Sequence, residues 1–402
     1  MKNSKILVVV LSLFLFVSCQ KDDNVSVNGF DDTIDIPDIN EMDDPTNGGN
    51  TNNATAVDLG RMLFWDPVLS GEKDVACATC HHPDFGYADG RDLPIGVGGA
   101  GLGPARRDVT NDDIGLVGRN SPTILNTAFN GMDEDGDYNP DLAPMFWDNR
   151  TLSLENQALG PPLSFDEMRG HAYDESVALD SIINRLRAIE QYRDMFSSVF
   201  GNTNAITSQN IGSAIAAFER TITATDSPFD RFRAGNDNAM TQAQIRGMDR
   251  FNQVGCNDCH SGPMFSDFQL HVLGVPDNNL LDETDSGADG TYAFRTPTLR
   301  NLGVTGPYFH NGVGGSLQQT IQFYNTARNA ANNSGNGGNG GLNVNPNING
   351  NQIDPEVRDL NNLNNNDIQD IISFIQALDD PDFDRTIPTN VPSGLNPGGK
   401  IN

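Results

Sequence analysis

The 402-residue sequence predicts a mostly α-helical chain with long loops, divided into two domains. Two observations carry that prediction. Apolar residues recur at helical spacing in four places with no competing alternating run, and the string Cys-x-x-Cys-His occurs twice, at Cys77 to His81 and at Cys256 to His260. The string is the attachment signature of a c-type haem. Two thiols three positions apart can form thioethers to the two vinyl groups of one porphyrin, and the next imidazole then lies under the iron. Cys77, Cys80, Cys256 and Cys259 are therefore the attachment residues, and His81 and His260 the proximal iron ligands. A lone Cys-x-x-Cys also suits a redox dithiol or half of a zinc site. Two copies that both end in His, with no further Cys pair to complete a four-cysteine zinc site, favour haem.

The chain opens with Lys2 and Lys5, an apolar run from Ile6 to Val17, and Ser18-Cys19. That run is too short to span a membrane and reads as a signal peptide. It resembles a bacterial lipoprotein signal, residues 1–18, with Cys19 as the acylated first residue of the mature protein. The following Gln20-Lys21-Asp22-Asp23 is similar to a surface-export tag of Bacteroidota lipoproteins, so the expected location is outside the cytoplasm, lipid-anchored to the outer membrane on either face. Of five Cys, one is the lipid site and four belong to the haem motifs, which leaves none for a structural disulfide. With 54 Asp and Glu against 25 Lys and Arg, net charge −29, the surface repels nucleic acid and anionic lipid. It would attract a basic partner such as a cytochrome, or serve only to keep an exported protein soluble.

In chain order, 19–55 is Asn/Asp/Gly-rich without sustained period and reads as a flexible acidic tether. The two domains are expected at 56–225 and 226–385, with 386–402 as a C-terminal tail. The Gly-rich stretch Ile95 to Pro104 and Arg119 to Thr123 read as loops at the haem edge. Asp133, Asp135, Asp137 and Asp141 place oxygen ligands at alternate positions around Gly136, as Ca²⁺ loops do, but no Glu closes the loop at position twelve, so a solvated acidic loop fits equally. One helix is expected to carry Ile182, Ile183, Leu186, Ile189, Tyr192 and Phe196, and a second Ile211, Ile215, Phe218 and Ile222. A third starts at Thr241 with Gln244 as its capping-box partner and stops at Gly255, delivering the second haem motif; the last, from about Asp367, carries Ile368, Ile371, Ile372, Ile375 and Leu378. Asn329 to Asn351, Asn/Gly-rich, reads as a long surface loop or a disordered insert.

Ordered motifs from Leu59 to Leu378 resemble the bacterial di-haem cytochrome c peroxidase/MauG family: Leu63-Phe64-Trp65-Asp66-Pro67, Arg119-Asn120-Ser121-Pro122-Thr123, Phe146-Trp147-Asp148-Asn149-Arg150, Gly160-Pro161, Glu167-Met168, Pro297-Thr298-Leu299-Arg300-Asn301 and Thr305-Gly306-Pro307-Tyr308-Phe309-His310, together with both haem motifs. The resemblance implies two cytochrome c-like helical domains with one haem each, reducing hydrogen peroxide to water with electrons from a small donor protein. His81 then looks like the ligand of the peroxide-binding haem, Glu167 and Gln157 like its distal polar pair, and Trp147 like the aromatic relay between haems. A carboxylate held in a haem pocket can move the proton that O–O heterolysis requires. Asn120, Thr305 and Pro307 resemble the oxygen ligands of a Ca²⁺ between the domains. Cofactors implied are two c-type haems and that Ca²⁺.

Two departures from the family pattern bear on mechanism. Many relatives carry a His, in Ile-Gly-His-Gly, that occupies the sixth iron position at rest and must leave before peroxide binds; here the pattern reads Ile95-Gly96-Val97-Gly98, so an open distal face is expected. The usual Met ligand of the second haem, fourteen residues after His310, is Tyr324, and no Met follows Met264. Tyr324 is therefore expected as that haem's sixth ligand, a hard anionic donor favouring Fe(III) and a lowered potential. MauG, which oxidises tryptophans of a protein substrate, is similar at both positions, yet its Trp before the second motif is Val254 here. MauG-like oxidation of a protein or organic substrate via a high-valent haem is thus the alternative function, and a non-catalytic electron-carrier lipoprotein the third. His271 and His310 are expected as hydrogen-bonding groups near the second haem, and His82 and His171 as surface or satisfied core residues.

Overall fold

The structure is a computed structural model that describes residues 55–110, 113–333 and 341–402; the signal peptide, Cys19 and nearly all of the tether lie outside the described residues. The first helix, α1 (Ala56–Trp65), begins where Thr55 accepts the N–H of Asp58 and the Asp58 carboxylate returns to the Thr55 N–H, a complete capping box. The first haem motif follows on the single turn α2 (Cys77–Cys80). Long irregular segments then carry two-residue antiparallel ladders, β1 (Gly99–Ala100) with β2 (Arg107–Asp108) and β3 (Pro144–Met145) with β4 (Thr151–Leu152). After α3 (Leu154–Gln157) and a π-helical turn at Phe165–Arg169 come α4 (Glu175–Ala188), α5 (Glu190–Phe200) and α6 (Ser208–Glu219).

The second half repeats the plan with α7 (Pro228–Arg233), α8 (Gln242–Val254), the ladder of β5 (Leu270–His271) with β6 (Phe294–Arg295), then α9 (Leu317–Ala331), α10 (Pro355–Asp359) and α11 (Asn365–Gln376). Helix α8 has the Thr241/Gln244 capping box and ends on Gly255 in the left-handed region, φ 95°, immediately before Cys256.

In each half the helix before the haem motif crosses a later helix at a glycine. A Cβ on Gly60 would lie 1.8 Å from the Ala214 carbonyl oxygen and 2.8 Å from the Phe218 Cβ. A Cβ on Gly247 would lie 1.9 Å from the Asp370 carbonyl oxygen and 2.8 Å from the Phe374 Cβ. The two crossings, α1 on α6 and α8 on α11, are thus built alike, each from a glycine facing a helix backbone one turn before a Phe. Around the second, Phe229, Phe251 and Phe265 meet Phe374 edge-on at 5.4–5.9 Å between ring centres. The chain is two helical units of the cytochrome c type, joined by loops.

Four expectations need correction. The single helix through Ile182 and Phe196 is two, because Ile189 is extended at φ −94° and ψ 117°; the break turns Tyr192 so that its hydroxyl donates to the buried Asp66 at 2.7 Å. Ile222 lies beyond the end of α6, yet packs with Phe218, Phe64 and Trp65. The stretch 386–402, together with Phe383 to Arg385, does not trail off: Phe383 and Val391 are buried against Trp65 and Tyr87, the Gly398 N–H donates to the Trp65 carbonyl at 2.7 Å, and Ser393 donates to Asp66 at 2.6 Å. Of Asn329 to Asn351, residues 334–340 lie outside the described residues, but Asn329 to Ala331 complete α9, and Val344 and Ile348 are buried against Phe323 and Ala327.

Gly60→Ala and Gly247→Ala each force a methyl group into a backbone carbonyl. Each is expected to cost about 1–3 kcal/mol, read as a fall in Tm at unchanged haem content. Wild-type Tm in both variants would show that the helices do not cross this closely.

Candidate active site

Both haem motifs present the same donor set. Their four cysteines are free thiols. Burial, first among the causes, pushes Cys80 and Cys256 up to about 12 and Cys77 well above the ordinary thiol range. Each pair of thiols, three residues apart and followed by a His, has the spacing for thioether formation. The His81 Nδ1 lies 3.1 Å from the Tyr87 carbonyl oxygen and the His260 Nδ1 3.0 Å from that of Phe265. A donated Nδ1–H fixes the tautomer and leaves Nε2 as the free lone pair, and burial keeps both imidazoles neutral.

Around His260 a cavity is lined by Cys256, Cys259, Tyr324, Trp147, Asn120 and Arg295, among others. Among the described residues no hydrogen-bond partner reaches the Tyr324 hydroxyl; burial, then the Cys256 and Cys259 thiols, holds its phenol well above the ordinary range. Arg295 is buried without a carboxylate partner among the described residues, its Nε spent on the Phe146 carbonyl, and burial lowers it to about 10. A guanidinium facing a cavity in this state suits an anionic occupant, such as the carboxylates a haem carries. The residues lining the cavity around His260 therefore fit a haem at the second motif, and the first motif repeats its Cys and His donors.

Glu167 rides on the π-helical turn, a geometry frequent at functional sites. Burial, then the neighbouring Asp166, raises its carboxyl to about 7. The next residue, Met168, packs with Val75 and Val97, and its carbonyl accepts the Gly71 N–H at 2.8 Å, on the segment that leads into the first motif. Gln157 ends α3, and the next residue, Ala158, is buried with Val97, Met168 and Ile114. Val97 is buried against Gly170, the residue that closes the π-turn. Trp147 is buried at the junction of the two halves, its Nε1–H donating to the Asn120 carbonyl at 2.9 Å while its own carbonyl accepts from the Arg295 N–H at 2.7 Å.

Asn120, Thr305 and Pro307 line the same interdomain cavity. The Asn120 amide donates to the Arg91 carbonyl at 2.7 Å, and no donor among the described residues reaches its Oδ1. Asp133, Asp135, Asp137 and Asp141 are not brought together: Asp133 is committed to the N–H groups of Asp135 and Asp137, and no cluster of three carboxylates forms there among the described residues. The loop is an Asx turn.

His271 is the hydrogen-bonding group expected from the sequence, its two nitrogens 2.6 Å from Asp354 and 2.9 Å from Asp267, partners that the sequence did not reveal. Those bonds, that to Asp267 first, raise it to about 12, and Cys259 and Glu356 stand close. His310 stacks on Phe294 at 3.6 Å between ring centres, and burial lowers it to about 4. His82 is a satisfied core residue, its Nδ1 accepting the Asp84 N–H; His171 is exposed beside Asp113. Arg106 and Arg295 also went unsingled: a lone Arg in sequence carries no sign of burial.

The profile of the di-haem cytochrome c peroxidase family matches residues 54–238. Over 327 residues the chain is 33% identical to methylamine utilization protein MauG of Methylophilus methylotrophus, covering 80% of this chain and 81% of that protein. The chain belongs to the di-haem cytochrome c peroxidase family. It is also 33% identical to a cytochrome c551 peroxidase of Nitrosomonas europaea, over 70% of this chain and 76% of that one. The crystal structure of a MauG-like protein associated with microbial copper homeostasis superposes with a TM-score of 0.62 at 25% identity, covering 83% of this chain and 92% of that one. Membership makes the chain an oxidoreductase, with His81 and His260 as its iron-binding candidates.

Tyr324→Phe removes the phenol oxygen that α9 places at the cavity of the second motif. It is expected to change the absorption and paramagnetic resonance spectra of that haem and to raise its midpoint potential. Unchanged spectra and potential would remove Tyr324 as a ligand.

Proposed function

We propose that this di-haem peroxidase reduces hydrogen peroxide to water at the first haem, with electrons from a donor protein entering at the second and passing Trp147. The observation that carries the reading is the packing of the turn that bears Glu167, a carboxyl raised to about 7, against the loop of the apolar Val97, whose N–H donates to the Asp166 carbonyl at 3.3 Å. A haem, when bound, supplies the iron that takes peroxide and the electron store that reduces it. The chain supplies the rest. His81 and His260 offer Nε2 to iron, and the four cysteines fix the porphyrins. Glu167, balanced between its two protonation states at neutral pH, accepts the proton of one peroxide oxygen and returns it to the other, while the Gln157 amide orients the substrate. With a haem bound at the second motif, the Tyr324 phenol would be the oxygen donor to its iron.

Val97 offers iron no donor atom, so the oxidised protein should react with peroxide without prior reduction. The oxygens of Asn120, Thr305 and Pro307 suit a Ca²⁺ at the interdomain cavity. A basic cytochrome c is the donor that a net charge of −29 would draw in, and the N-terminal segment with Cys19 anchors the enzyme to the outer membrane. The MauG-like alternative loses support at Val254, which is buried and apolar where a surface aromatic relay would be needed. A simple electron carrier would have no use for Glu167 and Gln157.

A base must be ionised, so turnover of peroxide with a reduced cytochrome should rise with pH through about 7, the level to which Glu167 is raised. Glu167→Gln is expected to remove that limb and to cut turnover about 10²–10⁴-fold. A stopped-flow experiment on the fully oxidised protein should show a prompt spectral change with peroxide. Two low-spin haems that respond only after partial reduction would overturn the open distal face.

A further inference from the structure

We propose that the loop carrying Val97 is locked in place, and that Arg106 is the positioning residue that locks it. The inference rests on the open distal face of the first haem and specifies what keeps it open. Arg106 is 1% exposed and, among the described residues, has no carboxylate within ion-pair distance. Its donors go to main-chain carbonyls instead: Nε to Ile95 at 2.6 Å, Nη2 to Gly96 at 2.7 Å, and Nη1 to Gly101 at 3.1 Å and Lys400 at 3.3 Å. Three of these four acceptors belong to the loop itself. A swing of residues 95–101 would strip a buried guanidinium of most of its hydrogen-bond acceptors, which is costly for a buried charge.

Gly99 leaves the room for this arrangement: a Cβ there would lie 2.6 Å from the Arg106 Nε.

The C terminus closes the lock from the other side. The Lys400 N–H donates to the Asp74 carbonyl at 2.9 Å and the Gly101 N–H to the Lys400 carbonyl at 2.9 Å. The buried Asp74 carboxylate accepts the Gly98 N–H at 3.3 Å and meets the Lys400 ammonium at 3.5 Å. The loop is also pressed on the turn that bears Glu167. A Cβ on Gly96 would lie 2.1 Å from the Asp166 carbonyl oxygen and 2.4 Å from that of Glu167, and the Val97 N–H donates to Asp166 at 3.3 Å. Arg106 therefore sets both the position of Val97 and the spacing between the loop and the catalytic carboxylate. Where a ligating residue on a mobile loop makes relatives wait for reduction, this loop has neither the ligand nor the freedom to move.

The test combines hydrogen exchange with spectroscopy on the full haem-loaded chain. Arg106→Gln is expected to speed exchange of the Gly98 and Gly101 amides at least ~10-fold, with Arg106→Lys in between and haem content unchanged. Val97→His should show no reduction-triggered change of spin state in the locked loop, and should acquire one when combined with Arg106→Gln. Wild-type exchange in a folded Arg106→Gln protein, or reduction-triggered ligand release in Val97→His alone, would overturn the lock. If Arg106→Gln fails to load haem, exchange in the wild type decides: the lock requires these amides to exchange only with global unfolding, and early local exchange refutes it. A low-spin first haem in the oxidised wild type would refute the open face, whereas a high-spin haem beside a freely exchanging loop would refute the lock alone.

Discussion

Each half of the molecule turns on a hydrogen bond between an imidazole and a main-chain carbonyl, His81 to Tyr87 and His260 to Phe265. The bond selects the tautomer, aims Nε2 at the cavity and ties the ring to a loop that closes back on the motif. Tyr87 itself adopts a left-handed backbone, φ 58°, and its carbonyl also receives the Ile124 N–H at 3.2 Å, so the loop at the first motif is held from both ends. The helix crossings at Gly60 and Gly247 then bring the motif-bearing segments and the later helices to backbone contact. A side chain at either glycine would separate them and widen the cavity that the histidine faces.

What the sequence made legible was the chemistry that depends on spacing. The haem motifs, the capping box at Thr241 and the apolar rows of α8 and α11 each follow from residues within a few positions of one another. Long-range packing was not legible. Ile189 has the right period for a continuous helix, and only the need to bring Tyr192 to Asp66 breaks it. Residues 386–402 look like a polar tail, yet their backbone groups complete hydrogen bonds at Trp65, Asp74 and Gly101 that no local pattern records. The acidic loop at Asp133 was open in the sequence to two readings, because alternate carboxylates suit a cation and also arise when one Asp caps the N–H groups that follow it.

The two haem sites have opposite polarity on their candidate distal sides. Near the first motif, a carboxyl balanced near neutrality sits beside an apolar Val97, an arrangement that handles protons. Near the second, a phenol without a partner and an uncompensated guanidinium face one cavity, an arrangement that accepts an anionic cofactor and an oxygen ligand. Trp147 lies between them, tied to the first half through Asn120 and to the second through Arg295. The ion pairs of Arg119 with Asp148 at 2.7 Å and with Asp285 at 2.6 Å brace the same junction. Polar contacts hold this junction from both sides, buried at Trp147 and partly exposed at Arg119.

The central claim is that the chain holds two covalent haems, one on each Cys-x-x-Cys-His motif. Mass spectrometry of the exported protein and of its proteolytic peptides, alongside a pyridine haemochrome assay, tests it most directly. The account predicts two haems per chain, one on the peptide containing Cys77 and Cys80 and one on that containing Cys256 and Cys259. Fewer than two haems per chain, or a motif peptide recovered with free thiols from fully matured protein, would contradict it.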